Sequence, residues 1–344
     1  VWFQNADKPP GIYMHGDNPD FVVWNDSVIR VLVPSDASAD SMGNGVAGTG
    51  PIRVENSTGD MTSSVATLTV DYAIRRRRVL FDRTQKFMVL SAPTTDSLGM
   101  YRFRMDSAFA SDTSAAAVFR KAIRDWRCAT LVTWTVGEDS AGLSLQVDGV
   151  SSVSFAALDP GVLGQTAVND EFCTDMVTGE LFYFSQELDL VFTTAAPFHI
   201  DTLTLPGPLE NDFYSVVLHE LGHGHLLQHR NNPGTMMHYA IVTGTAVRTI
   251  DPTIEFAGER VLDSSQVMRS ISCAAPLTPI DPELCDILNH RPKPSSPITH
   301  LDLFPNPSAD EANLTIQFSK PTKDVEVRIM DQMGHILFTS SVNT

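Results

Sequence analysis

Apolar and polar positions alternate over the first seventy residues, and this period of two predicts short β-strands. Clusters of Gly, Asn, Asp and Pro separate the apolar runs, and these residues favour turns. Short strands joined in this way predict a small all-β sandwich over residues 1–73. The apolar runs cover residues 1–3, 21–24, 28–33, 52–54 and 66–70.

From about residue 100 the pattern changes to mixed α and β. One stripe recurs at i, i+3, i+4 and i+7, which predicts an amphipathic helix that residues 111–113 can cap. Its members are Phe119, Ala122, Ile123 and Trp126. The runs "ATLVTWTV" and "LDLVFTT" predict buried strands, and a second helix is predicted over roughly residues 212–224. Apolar and polar positions alternate again after residue 298, in "LDLFPNPSADEANLTIQF" and "VEVRIMDQMGHILF", which again predicts β-strands.

Two polar stretches divide the chain. The arginine run at 75–78 is either a solvated linker or a protease-sensitive processing site, and we favour the linker. "NHRPKPSSP" is rich in Pro and Ser and predicts a second linker. The fold expected is therefore multidomain, with an N-terminal all-β sandwich, a central α+β domain and a C-terminal β-sandwich segment. The expected boundaries are 1–73, a linker at 74–99, 100–285, a linker at 286–299, and 300–344.

Composition narrows the classes of partner. The net charge of −17 argues against nucleic acid and anionic membrane surfaces. No apolar run approaches the ~18 residues that span a bilayer, so we predict no transmembrane segment. The four cysteines lack C-x-x-C spacing, and in an exported protein they suit two disulfides. We prefer Cys273–Cys285 with Cys128–Cys173, and the alternative is four buried free thiols.

The strongest chemical signal is the H-E-x-x-H pattern of residues 219–223. On a helix, residues four apart lie on one face, so the imidazoles of His219 and His223 can converge on one ion. Zinc accepts such nitrogen ligands, and a catalytic zinc site leaves one position for water. Glu220 can then act as a general base towards that water.

A third ligand is predicted further along the chain. His229 lies ten residues after His219, about 15 Å away if the helix continued, so the chain must bend after Gly224. The sequence "TMMHY" follows, with Met237 and Tyr239 two residues apart.

Other side chains near the motif have competing interpretations. Glu259 and Asp263 form E-x-x-x-D, the spacing with which the gluzincin clan supplies a third ligand and its partner. His225 is expected at the surface or beside the ligands.

These motifs together resemble the metzincin clan of metallopeptidases over about residues 100–270. The resemblance implies that His219, His223 and His229 hold zinc, with Glu220 as the base. It also implies that Met237 forms the Met-turn and that Tyr239 reaches the zinc or the transition state. The clan's usual glycine in this motif falls on Leu226. A left-handed backbone at a leucine costs about 1–2 kcal/mol.

The regions before and after this central domain also resemble known families. "VWFQNA", "VIRVLVP", "GTGPIRVENSTG" and "SSVATLTVDY" resemble the IPT/TIG immunoglobulin-like family. Phe304-Pro305-Asn306-Pro307, Asp331 and Gly334 resemble a partial copy of the C-terminal sorting domain of type IX secretion. This implies export across the outer membrane of a Gram-negative bacterium, with the type IX machinery as a partner and a secreted or cell-surface location.

The sequence therefore predicts a secreted zinc endopeptidase that hydrolyses peptide bonds in protein or peptide substrates. The alternative is a non-catalytic surface adhesin with a structural zinc site. No other cofactor-binding motif is recognised. Acidic secreted peptidases can carry calcium, but no D-x-D-x-D loop marks a calcium site. Because every motif of the site lies within residues 80–285, we expect that fragment to be active by itself.

Overall fold

The computed structural model divides the chain into two compact units, Val1–Pro282 and Glu283–Thr344. The residues that the structure describes are 1–15, 21–35, 45–78, 86–91, 101–140, 142–143, 145–267, 298–304, 313–318, 325–330 and 336–342.

An antiparallel sheet opens the first unit, with strand order β2-β1-β5-β6. The strands of this sheet are β1 (Trp2–Gln4), β2 (Tyr13–His15), β5 (Gly50–Glu55) and β6 (Met61–Leu68). Strands β3 (Phe21–Trp24) and β4 (Ile29–Val31) form a separate hairpin. Each apolar run predicted in this region overlaps one of these strands, which confirms them. Strand β2 was not predicted. Val1, Phe3, Met14 and Ala47 form the small core beneath the sheet.

A larger mixed sheet follows in the same unit, and it has seven strands among the described residues. These are β7 (Arg76–Arg78), β8 (Lys86–Ser91), β9 (Tyr101–Met105), β10 (Trp134–Val136), β11 (Ser152–Ala156), β12 (Gly164–Thr174) and β13 (Leu181–Thr193). β13 pairs in parallel with β8 and β11 and antiparallel with β12. Strands β14 (Phe198–His199) and β15 (Asn211–Asp212) form a short parallel pair.

Four helices pack with this sheet in the described part of the first unit: α1 (Ser107–Ser111), α2 (Thr113–Thr130), α3 (Phe213–Gly224) and α4 (Pro252–Val267). The predicted stripe of α2 is buried along its whole length, and Asp112 caps the helix by accepting from the backbone N–H groups of Ser114 and Ala115. Trp126 of α2 donates its indole N–H to the carbonyl of Leu218 in α3 at 3.1 Å. Helices α2 and α3 are thus joined by a buried hydrogen bond as well as by apolar packing. No helix within the described ranges has the length and hydropathy needed to cross a membrane.

The alternation in β9 shows how the sheet acquires one buried face. Tyr101, Phe103 and Met105 point into the core, whereas Arg102 and Arg104 are exposed. Phe103 makes edge contacts with Phe119 of α2 and with Trp134 of β10. The apolar layer between sheet and helices is therefore continuous.

The predicted linker at 74–99 is corrected by strands β7 and β8, which pair antiparallel and extend the large sheet. Asp170 on β12 accepts from Arg75 and Arg77 at 2.8 Å, and its side chain is only 1% exposed. Paired strands and a buried ion pair are incompatible with a solvated linker at the arginine run.

The second unit contains two antiparallel hairpins among its described residues. They are β16 (Ile298–Phe304) with β17 (Asn313–Phe318), and β18 (Val325–Met330) with β19 (Ile336–Val342). The predicted C-terminal strands are thus present. Most of the second predicted linker (286–297), the Pro305-Asn306-Pro307 motif, Asp331 and Gly334 lie outside the described residues. The chain as a whole is a mixed α and β protein with several sheets and few helices, as expected at that coarse level.

We expect Asp170→Ala to lower the free energy of unfolding by about 3 kcal/mol, because removing one partner of a buried ion pair leaves the other uncompensated. Chemical denaturation measures the change. The exposed Asp159 provides the matched control as Asp159→Ala. Equal stability of the two variants would contradict the role given to Asp170.

Candidate metal centre

Helix α3 carries the H-E-x-x-H motif and packs in the main apolar core of the first unit. Ten of its twelve residues are buried, which explains the apolar sequence around the motif. The carboxylate of Asp212 caps the helix by accepting from the backbone N–H of Ser215 at 3.0 Å and from its hydroxyl at 2.5 Å. Arg248 in turn pairs with Asp212. The helix that positions the two histidines is therefore fixed at its first turn.

The chain bends immediately after α3, as the spacing of the third histidine requires. Leu226 adopts a left-handed backbone with φ of 62°. Its N–H donates to the carbonyl of His223 at 2.9 Å, and the next N–H donates to Gly222 at 3.0 Å. The left-handed conformation costs about 1–2 kcal/mol, but the leucine side chain is 0% exposed. Burial of a leucine contributes a similar amount, so packing offsets the strain that a glycine would avoid.

The bend brings three imidazoles together. The Nε2 atoms of His219, His223 and His229 lie 3.0–3.2 Å apart in all three pairs. Nitrogens that share a tetrahedral zinc at about 2.0–2.1 Å are about 3.3 Å apart. The triangle therefore has the size that one such ion needs.

The other nitrogen of each ring determines where the protons are. The Nδ1 of His219 lies 2.7 Å from the carbonyl of Met236, and that of His223 lies 2.9 Å from the carbonyl of Leu227. The Nδ1 of His229 lies 2.7 Å from Oδ1 of Asp7. A carbonyl or carboxylate oxygen can only accept, so the Nδ1 of each ring donates to that oxygen, and each Nε2 is the nitrogen that can bind a metal.

Burial favours the neutral form of the His219 and His223 rings. It lowers the pKa of His219 to about 3, with proximity to His229 as a further cause. Burial also holds the pKa of His223 well below its usual range, and the neighbouring His229 and His219 add to the effect. A cation among the three Nε2 atoms would accept a lone pair from each of them. The donor set therefore fits a metal ion.

Glu220 lies beside the three imidazoles and is only 5% exposed. Burial raises the pKa of Glu220 to about 7. The hydroxyl of Thr166 on β12 lies 2.8 Å from Oε2 of Glu220 and 2.9 Å from the Glu220 carbonyl, and its single proton can be donated to either oxygen. β12 also passes close to Glu220 at Gly164, where a Cβ would lie 2.7 Å from the glutamate Cγ. Strand β12 thus fixes the carboxyl group.

Met237 lies directly against α3 and is fully buried. Its sulfur touches Gly222, between the two histidines of the helix, so closely that a Cβ on that glycine would overlap it. The turn that contains Met237 is tied to the third histidine's loop, because Arg230 N–H donates to the Met237 carbonyl at 2.9 Å. Met237 thus packs against the part of α3 that lies between His219 and His223.

A cavity of about 710 Å³ opens beside the imidazoles. Tyr239 lines it, with its ring tilted against His238 at 4.5 Å. Much of the remaining wall is apolar, from Val162, Leu163, Val216, Ile241, Val242 and Val247. The histidines and Glu220 therefore face a space that can admit a ligand.

The structure separates the alternatives for the third ligand and gives the location of His225. Within the described ranges, His219, His223 and His229 are the one group of three or more His, Cys, Asp or Glu residues whose ligand atoms all lie within 4.8 Å of one another. Glu259 and Asp263 lie on α4 and are outside that cluster. His225 is not at the surface: it is 1% exposed, with its ring against Trp126 and Trp134.

Three residues near the site were not recognised in the sequence. Thr166 contacts Glu220, Asp7 contacts His229, and Asn231 anchors the loop that follows His229. Asp7 and His229 are 222 positions apart. No local pattern marks Asp7 or Thr166, because each acquires its role through a long-range contact.

Cys128 and Cys173 are both disulfide-bonded, and no described cysteine is free. Cys273 and Cys285 lie outside the described residues. The predicted connectivity therefore stays a prediction.

Comparison with known proteins gives no family. No protein-family model matches the chain, and a search of curated proteins found no match. The function is therefore inferred from the geometry of the site.

Gly222 and Gly224 of α3 differ in the space available for a side chain. We expect Gly222→Ala to destabilise the protein by about 1–3 kcal/mol, because its methyl group would overlap the Met237 sulfur in a packed core. Gly224→Ala is the matched control. Its Cβ would meet Leu188 at 3.7 Å, an ordinary contact, and alanine favours helix by up to about 1 kcal/mol. Thermal unfolding compares the two, and equal stability would contradict the packing described.

Proposed function

We propose that this chain is a secreted zinc-dependent endopeptidase. The observation that carries the proposal is the triangle of Nε2 atoms, 3.0–3.2 Å on a side, with Glu220 beside it at the wall of an open cavity. The proposed ligands are His219, His223 and His229.

Zinc is the proposed metal because of the type and number of ligands. Imidazole nitrogens suit zinc, copper, iron and nickel, whereas calcium and magnesium prefer oxygen. Three histidines with an open fourth position are typical of catalytic zinc, and structural zinc sites usually have four protein ligands. A bound zinc ion supplies Lewis acidity, which polarises a carbonyl group and makes water acidic near neutral pH.

Glu220 is the proposed general base and acid. A carboxyl group whose pKa is raised to about 7 by burial can both accept and return a proton near neutral pH. The Thr166 hydroxyl holds Oε2 in place, so the carboxyl group meets its reacting partner without reorganising. In peptide hydrolysis, Glu220 would take a proton from the attacking water and pass it to the leaving amine.

Tyr239 is the second proposed catalytic residue. Its side chain lines the same cavity as the histidines and Glu220, and its phenol group can donate a hydrogen bond. We propose that it stabilises the negative charge that develops on the carbonyl oxygen of the scissile bond. Met237 would have a structural role beneath the metal.

The surroundings of the site support a protein or peptide substrate. The cavity is large enough for an amino-acid side chain, and much of its wall is apolar. The resemblance to metzincins agrees with this function. The IPT/TIG-like and sorting-domain resemblances support a secreted or cell-surface protein of a Gram-negative bacterium, with the type IX machinery as its export partner. An Ig-like sandwich and a metzincin-like domain are the proposed folds of residues 1–73 and 100–285.

The alternative is a surface adhesin in which the zinc site is structural. That function needs neither an open cavity beside the histidines nor a buried carboxyl group at the wall of the same cavity. Both features favour catalysis.

We predict that Glu220→Gln binds one equivalent of zinc but hydrolyses peptides ~10²–10⁴ times more slowly, since it removes the general base and keeps the shape of the side chain. Metal analysis and a fluorogenic peptide assay measure the two properties.

Glu259→Gln is the control, because Glu259 lies outside the histidine cluster. It should retain both zinc and activity. A Glu220→Gln variant with wild-type turnover would contradict catalysis by Glu220, and a wild-type chain that binds zinc but cleaves nothing would favour the adhesin.

A further inference from the structure

The loop that carries His229 is held by the N-terminal part of the chain. Gln228 N–H donates to the carbonyl of Ala73 at 2.8 Å, and Arg75 N–H donates to that of Leu226 at 2.8 Å. Ile74 and Leu227 form an antiparallel bridge between these two bonds. The backbone just before the third histidine therefore pairs with residues 73–75 as a short ladder.

A second anchor lies two residues after the histidine. The side-chain amide of Asn231 binds both backbone groups of Thr49: its Oδ1 accepts from the N–H at 2.7 Å and its Nδ2 donates to the carbonyl at 2.8 Å. The backbone of Gly48 approaches so closely that a Cβ there would lie 2.6 Å from Asn231. The loop is thus attached to residues 1–78 on both sides of His229.

Asp7 is the third contact, and it reaches the ring itself. Its Oδ1 accepts from Nδ1 of His229 at 2.7 Å. The residues around Asp7 are fixed: its own N–H donates to Asn5 Oδ1 at 2.8 Å, and the buried Ala6 bonds to Val46 at 2.8 Å. His219 and His223 instead donate to carbonyl groups of nearby turns. Among the three imidazoles, His229 alone is oriented by a charged group.

We propose that Asp7 is a positioning residue for the metal centre, and that residues 1–78 are a structural part of that centre. A carboxylate that accepts from one imidazole nitrogen fixes the tautomer and the ring orientation, and it makes the other nitrogen a better metal ligand. Asp7 therefore acts on the metal through His229. The inference rests on the proposed zinc site.

This reverses the expectation that residues 80–285 suffice for activity. That fragment would lack Asp7, Thr49 and the strand partner at 73–75. The first β segment is not a detachable spacer, because the third ligand's loop has these hydrogen-bonding partners within it.

Zinc affinity of the full-length protein tests the proposal. It is measured by competition with a chromogenic chelator, and thermal unfolding of the metal-free proteins checks that each variant folds. Asp7→Ala should bind zinc ~10–100 times more weakly, the usual effect of removing such a partner. Asp7→Asn keeps an acceptor oxygen without the charge and should lose less. Asp26→Ala, an exposed aspartate of the same segment, should bind like the wild type.

A double-mutant cycle separates positioning from general stability. In a His229→Ala background, Asp7→Ala should cause no further loss of affinity, because Asp7 acts only through that ring. The proposal is overturned if Asp7→Ala changes affinity no more than Asp26→Ala, or if it weakens binding equally with and without His229. If Asp7→Ala does not fold, Asp7→Asn is judged against the same controls. A wild-type chain that binds no zinc would instead contradict the proposed function.

Discussion

The Nε2 atoms of three imidazoles, His219, His223 and His229, lie 3.0–3.2 Å apart in the first unit. The Nδ1 of each ring donates to a carbonyl or carboxylate oxygen, which fixes the orientation of the ring. Protonating His219 or His223 on both nitrogens would place a positive charge in a buried site, which desolvation opposes. The three Nε2 atoms could hold one metal ion, and that arrangement requires the fold to keep the three rings together.

The bend after α3 shows how the fold meets that requirement without the usual glycine. Leu226 takes the left-handed conformation, and its fully buried side chain packs in the main apolar core. A glycine would relax the backbone but would leave a cavity, and Leu→Ala changes in cores already cost about 2–5 kcal/mol. We therefore do not expect Leu226→Gly to stabilise this protein.

Local patterns in the sequence predicted the elements that depend on local physics. The predicted helix α2 with its buried stripe, the first strands, and a helix that carries both His219 and His223 are all found in the structure. The need for a bend before His229 also followed from helix geometry alone. The linker at 74–99 was wrong because β7 and β8 are stabilised by β13 and Asp170, which are distant in sequence. His225 was misplaced for a similar reason, since its pocket forms from Trp126 and Trp134. Asp7 could not be predicted, because only the tertiary fold brings it to His229.

The most direct test of this account is a crystal structure of the zinc-loaded protein with data on both sides of the zinc absorption edge. We predict one strong anomalous peak about 2.0–2.1 Å from the Nε2 atoms of His219, His223 and His229, with Asp7 still bonded to Nδ1 of His229. A peak coordinated by Glu259, or no peak among the three histidines, would contradict the account.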